Sequence, residues 1–135
     1  MKISLDSNVF ADQDFIDWLQ ERKDQLDIYL SVICALETFH WYNLRGISQE
    51  LFEKDLEALG ATIHDFNFSK IYQISANAKK AILPFKHHAR DFIIVTQAIM
   101  RQSKLITFNL KHFGWLGKDN VLAPEDLVIA LECSG

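Results

Sequence analysis

The chain has 135 residues, of which 49% are hydrophobic and 12% aromatic. This length is typical of one domain with its own core, and this composition excludes an intrinsically disordered protein. Cys34 and Cys133 are far apart and lack metal-type spacing, which favours reduced thiols in a cytoplasmic protein. The sequence contains neither a basic-then-apolar leader nor an apolar run of roughly 18 residues, so we expect no secretory signal and no membrane span.

The formal net charge of −4 is distributed unevenly. Residues 1–65 contain 13 acidic and 5 basic residues, whereas residues 66–118 contain 1 acidic and 9 basic residues. Such a basic segment is typical of a face that meets a polyanion, although helices that expose lysines for solubility explain it equally well. The single acid of the basic segment is Asp91.

Short apolar segments alternate with amphipathic segments along the chain. Strands are predicted at residues 2–5, 27–31, 61–66, 104–108 and 120–123. Helices are predicted at residues 12–23, 32–45, 48–59, 69–82, 87–103 and 124–132. This alternation predicts one α/β domain over residues 1–135, a three-layer α/β/α sandwich around a central, mainly parallel sheet. Ligands of such sheets bind beyond the carboxyl ends of the strands, where Asp6 and Asn109 are expected.

Two acids stand where a helical pattern calls for apolar side chains. Glu37 lies on the same stripe of its helix as Ile33 and Leu44, which predicts that it faces the core. Asp91 heads the apolar stripe of its own helix, and buried carboxylates are rare without a partner. Each acid alone also has an ordinary explanation: Glu37 pairs with Arg45 or turns toward solvent at a helix edge, and Asp91 is a favourable acid at a helix start.

Asp6 adds a third carboxylate at the end of the first predicted strand. Three ionised carboxylates share a small pocket only when a cation neutralises them. Oxygen ligands without Cys or paired His suit a hard ion, so a site formed by Asp6, Glu37 and Asp91 would hold Mg²⁺ or Mn²⁺. The alternative for the first of these residues is a surface turn made by Asp6 and Asn8.

Four segments in order, LDSNVF, SVICALETF, ARDFIIVTQA and LITFNLKHF, resemble the PIN domain. Within that family they are most similar to the compact VapC-type ribonucleases of toxin–antitoxin pairs. The resemblance implies a PIN-like fold in which Asp6, Glu37 and Asp91 are the catalytic, metal-binding acids. The further residues that it implies are Asn109 as a neutral fourth metal ligand, and Asn8 and Thr107 as residues that orient Asp6.

The resemblance also implies an activity and partners. We expect an endoribonuclease that uses Mg²⁺ or Mn²⁺ to hydrolyse RNA phosphodiester bonds, leaving a 3′-hydroxyl and a 5′-phosphate. The toxin role implies a cytoplasmic location, an antitoxin protein as partner and a homodimer. Two other functions stay open: an RNA- or protein-binding module weakened in catalysis by the neutral Asn109, and a phosphatase.

The basic segment supplies residues for the RNA backbone. Lysine and arginine bind phosphates through charge, without reading the base sequence. The predicted RNA-binding residues are Lys79, Lys80, Lys86, Arg90, Lys104 and Lys111.

Overall fold

The structure is a computed structural model that describes residues 1–134; Gly135, the last residue of the predicted domain, lies outside the described residues. Its strands are β1 (Lys2–Leu5), β2 (Asp27–Ser31), β3 (Thr62–His64), β4 (Lys104–Ile106) and β5 (Val121–Leu122). They pair in parallel in the order β3–β2–β1–β4–β5. The predicted α/β fold with a mainly parallel sheet is therefore confirmed.

Helices connect successive strands. In the described residues they are α1 (Gln13–Glu21), α2 (Val32–Leu44), α3 (Gln49–Leu59), α4 (Ile71–Ala81), α5 (Phe85–Met100), α6 (Leu110–Phe113) and α7 (Pro124–Ser134). The path runs in one direction from β1 to β3 and returns from β3 through β4 to β5. Since parallel crossovers are right-handed, the reversal places helices on both faces of the sheet. None of the helices within residues 1–134 has the length and apolar character needed to cross a membrane.

Local sequence explains where several helices begin. Ser48 caps α3, because its hydroxyl accepts a hydrogen bond from the backbone N–H of Leu51. Asp12 does the same for α1, so that helix starts at residue 13 and not at 12 as predicted. The long helix α5 begins at Phe85, directly after Pro84, two residues earlier than predicted. The additional helix α6 is a single turn after β4.

The sheet edge that holds the candidate site lies where the strand order reverses. The central strands β1 and β4 are almost fully buried, with Leu5 and Ile106 side by side. The backbone N–H of Asp6 still donates to the carbonyl of Ile106 at 2.9 Å. The segments that follow β1 and β4 therefore leave the sheet at the same place. Such a reversal leaves a crevice beyond the carboxyl ends, which is where ligands bind in open α/β sheets.

The predicted core stripe of α2 is wrong. The stripe that α2 buries consists of Cys34, Thr38 and Tyr42. Leu44, which was expected inside, is exposed, and the side chain of Glu37 is 38% exposed. The helix is rotated by about one residue from the expected orientation, so Glu37 points along the sheet edge and not into the core.

Candidate metal centre

Asp6 lies at the carboxyl end of β1 and is 2% exposed. One carboxylate oxygen, Oδ1, accepts the backbone N–H of Ser7 at 2.7 Å. The other, Oδ2, accepts the hydroxyl of Thr107 at 2.8 Å. Ser7 starts a 3₁₀ helix, Ser7–Ala11, which Asp6 caps. The chain does turn directly after β1, but the alternative of a surface turn is wrong for Asp6, whose carboxylate is buried and held by hydrogen bonds.

Glu37 reaches the same place from α2. Its Oε1 accepts the hydroxyl of Ser7 at 3.0 Å, and its Oε2 accepts the Nε–H of Arg90 at 2.7 Å. The salt bridge proposed with Arg45 is not formed, because the guanidinium of Arg45 stacks on the ring of Trp41 at 3.8 Å. The half-buried position leaves Glu37 accessible from solvent.

Asp91 enters from the second turn of α5 and is 7% exposed. Its Oδ1 accepts Nη1–H of Arg90 at 2.9 Å. Its Oδ2 faces two imidazoles: Nδ1 of His88 lies at 3.5 Å and Nδ1 of His112 at 3.6 Å. The early helical position also places the carboxylate near the positive end of the α5 dipole, where an anion is stabilised.

Arg90 joins the three acids. Its guanidinium donates to Glu37 through Nε, to Asp91 through Nη1 and to Asp6 through Nη2, which also bonds Ser7 at 3.0 Å. Burial alone would lower the pKa of Arg90, but the hydrogen bond with Glu37 and the charge of Asp6 raise it above its usual value. The three carboxylates therefore lie around one guanidinium.

The cluster contains residues that the sequence analysis did not assign. Sγ of Cys34 lies 4.0 Å from Oδ1 of Asp6, and the ligand atoms of Asp6, Cys34 and Glu37 are all within 4.8 Å of one another. Burial and the charge of Asp6 raise the pKa of the Cys34 thiol, so it stays protonated and is a poor metal ligand. His88 also lies beside the cluster, and its three-residue spacing from Asp91 on α5 is the sequence signal that places it here.

The donor set fits a hard divalent cation. The available atoms at the centre are carboxylate oxygens, and three carboxylates face one guanidinium. Oxygen ligands with excess negative charge suit Mg²⁺ or Mn²⁺, whereas a neutral thiol does not select a softer ion. Asp6, Glu37 and Asp91 would hold such an ion.

A hydrogen-bonded loop after β4 supports Asp6. The hydroxyl of Thr107 accepts from Nδ2 of Asn8 at 3.2 Å and from the backbone N–H of Asn109 at 3.0 Å while it donates to Asp6. Nδ2 of Asn109 lies 3.0 Å from Nδ1 of His112. The side chain of Asn109 thus bonds this imidazole and not one of the three carboxylates. Thr107 and Asn8 therefore lie directly behind Asp6, and Asn109 lies at the outer rim.

The predicted RNA-binding residues do not share one face. Lys86 lies one turn before Arg90 on α5, and Lys111 lies in α6 beyond the carboxyl end of β4; both are exposed. Lys104 opens β4 at the amino edge of the sheet, where its amine donates to the carbonyl of Asp119 at 2.8 Å. Lys79 and Lys80 are exposed in the last turn of α4, and Lys80 lines a cleft of about 670 Å³ together with Lys104. The structure therefore brings Arg90, Lys86 and Lys111 to the side of the acids and leaves Lys104 away from them.

The fold is similar to that of a protein in a solved structure. No protein-family model matches the sequence, and no curated protein sequence matches it. The structure is similar to a chain of the crystal structure of VapBC2 from Rickettsia felis bound to a DNA fragment from their promoter, with a TM-score of 0.59 and 18% sequence identity. The match covers 91% of this chain and 97% of that chain. At this level of identity the similarity shows a shared fold.

Proposed function

We propose that the protein is a metal-dependent endoribonuclease that hydrolyses RNA phosphodiester bonds with Mg²⁺ or Mn²⁺. The observation that carries the proposal is the convergence of Asp6, Glu37 and Asp91 on one guanidinium at the reversal point of the sheet. These acids come from three separate elements, β1, α2 and α5, and none of them is needed to complete the hydrophobic core. An acid cluster of this composition is suited to a cation-dependent reaction on a phosphodiester.

The residues around the acids have defined parts in this proposal. A divalent cation at the centre would make a bound water more acidic and neutralise charge on the phosphate. Thr107 and Ser7 hold the carboxylates of Asp6 and Glu37 in place through hydroxyl hydrogen bonds. Lys86 and Lys111, on the rim, would hold the RNA backbone by charge.

The test is cleavage of a fluorescent single-stranded RNA by the purified chain with Mn²⁺, with Mg²⁺ and with EDTA. We expect activity with either ion and none with EDTA. Asp6→Asn and Asp91→Asn should each reduce the rate at least about 100-fold, the loss typical when transition-state charge stabilisation is removed. Glu57→Gln removes one exposed carboxylate from α3 and is the matched control, expected to retain full activity. Circular dichroism verifies that each variant is folded, and activity that survives both aspartate substitutions would exclude this mechanism.

The physiological role proposed is that of the toxin in a toxin–antitoxin pair, in the cytoplasm, with an antitoxin protein and a second copy of the chain as partners. The similarity to a described VapBC2 complex supports this choice. Expression of the chain should arrest growth, and Asp91→Asn should relieve the arrest. A short neighbouring gene for a DNA-binding protein would supply the antitoxin, and light scattering of the purified chain measures the homodimer.

A second candidate is a binding module with no catalysis. Two observations favour it: Arg90 already bonds all three acids, and Asn109 brings no charge to the rim. Such a module binds RNA or protein in the same way with and without metal. Calorimetric titration with Mn²⁺ distinguishes the two functions, because the module should give no binding heat.

A further inference from the structure

The guanidinium of Arg90 uses all three of its nitrogens on the acid cluster. Nε bonds Oε2 of Glu37, Nη1 bonds Oδ1 of Asp91, and Nη2 bonds Oδ1 of Asp6. Nη2 also donates to the hydroxyl of Ser7, which itself donates to Glu37. A planar group with a fixed fork of donors fits three carboxylates in a way that the single ammonium of a lysine does not.

The remaining carboxylate oxygens of the cluster face other groups. Oδ2 of Asp6 accepts from Thr107, and Oε1 of Glu37 accepts from Ser7. Oδ2 of Asp91 points away, toward His88 and His112. The oxygens that face the common centre are thus the three that Arg90 bonds. A cation that binds all three acids must therefore replace the guanidinium at these oxygens.

Arg90 also has a path out of the site. Its side chain is 34% exposed, in contrast to the 2% of Asp6, so the guanidinium lies on the solvent side of the cluster. An arginine on a helix surface reorients by side-chain rotation alone, without movement of the backbone. Displacement therefore needs no rearrangement of α5.

We propose that Arg90 is the exchangeable internal counter-cation of this centre: it neutralises Asp6, Glu37 and Asp91 in the metal-free protein, and a divalent cation displaces its guanidinium. The inference rests on the proposed function in one respect, namely that the acids bind a divalent cation. It adds that metal affinity is set by competition with a residue of the same chain. A further consequence is that the metal-free protein does not need the ion to keep its acids together.

The first test is calorimetric titration with MnCl₂ of the wild-type chain, Arg90→Lys and Arg90→Ala. Removal of a positive charge strengthens cation binding in any case, so Arg90→Lys is the informative variant because it keeps the charge and loses the three-way bonding. We expect Arg90→Lys to bind Mn²⁺ at least about 10-fold more tightly than wild type, since each charge-assisted hydrogen bond that the ion no longer has to break contributes roughly this factor. Arg101→Lys, an exposed substitution of the same kind, should leave the affinity unchanged.

Thermal unfolding of the same variants gives a second readout. In EDTA, Arg90→Ala and Arg90→Lys should melt below wild type, because neither variant keeps the guanidinium that bonds all three carboxylates. At saturating Mn²⁺ the difference should disappear, since the guanidinium no longer contacts the acids in wild type. A difference that persists unchanged at saturating Mn²⁺ would contradict displacement.

The third test observes Arg90 directly. The Nε–H resonance of Arg90, identified by its loss in Arg90→Lys, should be protected in EDTA and should become exchange-broadened at saturating Mg²⁺, which is diamagnetic. An unchanged resonance would overturn the inference. Equal Mn²⁺ affinity of wild type and Arg90→Lys would overturn it too, while leaving the metal site and the proposed function intact. Failure of every variant to bind Mn²⁺ would overturn both.

Discussion

At the scale of single residues, one oxygen of the buried Asp6 carboxylate, Oδ2, is held by the hydroxyl of Thr107. Thr107 is fully buried and uses all its hydrogen-bonding capacity: it donates to Asp6 and accepts from Asn8 and from the backbone of Asn109. A buried carboxylate that loses a donor leaves an oxygen without a partner, which is more costly than the loss of an exposed hydrogen bond.

We predict that Thr107→Val, which keeps the shape and removes the hydroxyl, lowers the free energy of unfolding by about 1–3 kcal/mol. The proposed nuclease rate should fall about 10–100-fold, as is usual when a group that orients a metal ligand is removed. Thr107→Ser keeps the hydroxyl and should retain most of both properties. Urea unfolding and the RNA cleavage assay measure the two effects, and a Val variant as active as the Ser variant would contradict this role.

His64, which lies outside the candidate metal centre, makes the free energy of unfolding depend on pH. It is buried at the end of β3, its ring packs on Tyr29 at 4.9 Å, and its Nε2 has no hydrogen-bond partner in the described part of the chain. Burial, and then the positive charge of Arg101, lower the pKa of His64 below 6.5. Between the folded pKa and 6.5 the unfolded chain binds more protons, so this residue makes stability rise with pH in that window.

We therefore predict that the wild-type chain loses stability more steeply than His64→Phe as the pH falls from 7 to 5. Phenylalanine keeps the ring against Tyr29 and has no proton to bind. Unfolding free energies measured across this range give the two slopes, and the difference between them isolates the histidine from the carboxylates that titrate in both proteins. Parallel slopes would show that His64 takes up its proton as readily in the folded as in the unfolded state.

The sequence predicted one shared site for three acids, but the reason given for one of them was wrong. Asp91 does head a buried stripe, whereas Glu37 was predicted to face the core and lies half-exposed at the sheet edge. Arg90 was predicted to bind RNA, and its contacts with the acids could not be foreseen, because helical spacing fixes where a Cβ points but not where a long flexible side chain ends. Whether these acids bind an ion stays a prediction.

At the scale of elements, α2 and α3 are joined by an aromatic cluster with one polar bond. The rings of Phe39, Tyr42 and Phe52 pack within 5.5 Å of one another in two pairs, and the hydroxyl of Tyr42 donates to Oδ2 of Asp55 at 2.6 Å. Burial, the hydrogen bond and the charge of Asp55 all raise the pKa of Tyr42. The hydroxyl therefore stays protonated and keeps its bond to Asp55. Because α2 carries Glu37, this packing also positions the site.

We predict that Tyr42→Phe lowers the unfolding free energy by about 1.5 kcal/mol, the contribution of a hydrogen bond to a charged group. The melting temperature should drop by roughly 4–6 °C for a chain of this size. Tyr72→Phe removes an exposed hydroxyl on α4 and is the matched control, with no expected change. Equal melting temperatures for both variants would show that the Tyr42–Asp55 bond adds nothing to the packing of the rings.

The order and type of the elements were predictable, and their ends were less so. Within residues 1–134, apolar periodicity identified all five strands and the six longer helices. The strands predicted to run to residues 66 and 108 stop at His64 and Ile106. Beyond these ends the backbone bonds side chains: Phe108 donates its N–H to Asn8, and the carbonyl of Asp65 accepts from Gln97. A pattern of apolar residues does not contain that information.

At the scale of the whole molecule, the parallel topology divides the basic segment between two edges. Each β-strand carries the chain from the amino edge to the carboxyl edge, and the connection to the next parallel strand returns it. Lys104 and Lys111 are close in sequence, yet they lie at opposite edges of the sheet. Lys104 begins β4 at the amino edge, and Lys111 lies in α6, beyond the carboxyl end of β4. A charge balance counted along the sequence therefore overstates the charge available to one bound polyanion.

This division gives a prediction about RNA binding. In EDTA, where no cleavage is expected, the double variant Lys86→Ala/Lys111→Ala should bind a fluorescent single-stranded RNA more weakly than wild type, as measured by anisotropy. The slope of log K against log salt concentration should decrease in magnitude by about 1.4, because each phosphate contact on a single strand contributes about 0.7. Lys104→Ala, a substitution of the same charge at the amino edge, should change neither the affinity nor the slope. If Lys104→Ala weakens binding as much as the double variant, the RNA does not lie along the edge that carries Asp6, Glu37 and Asp91.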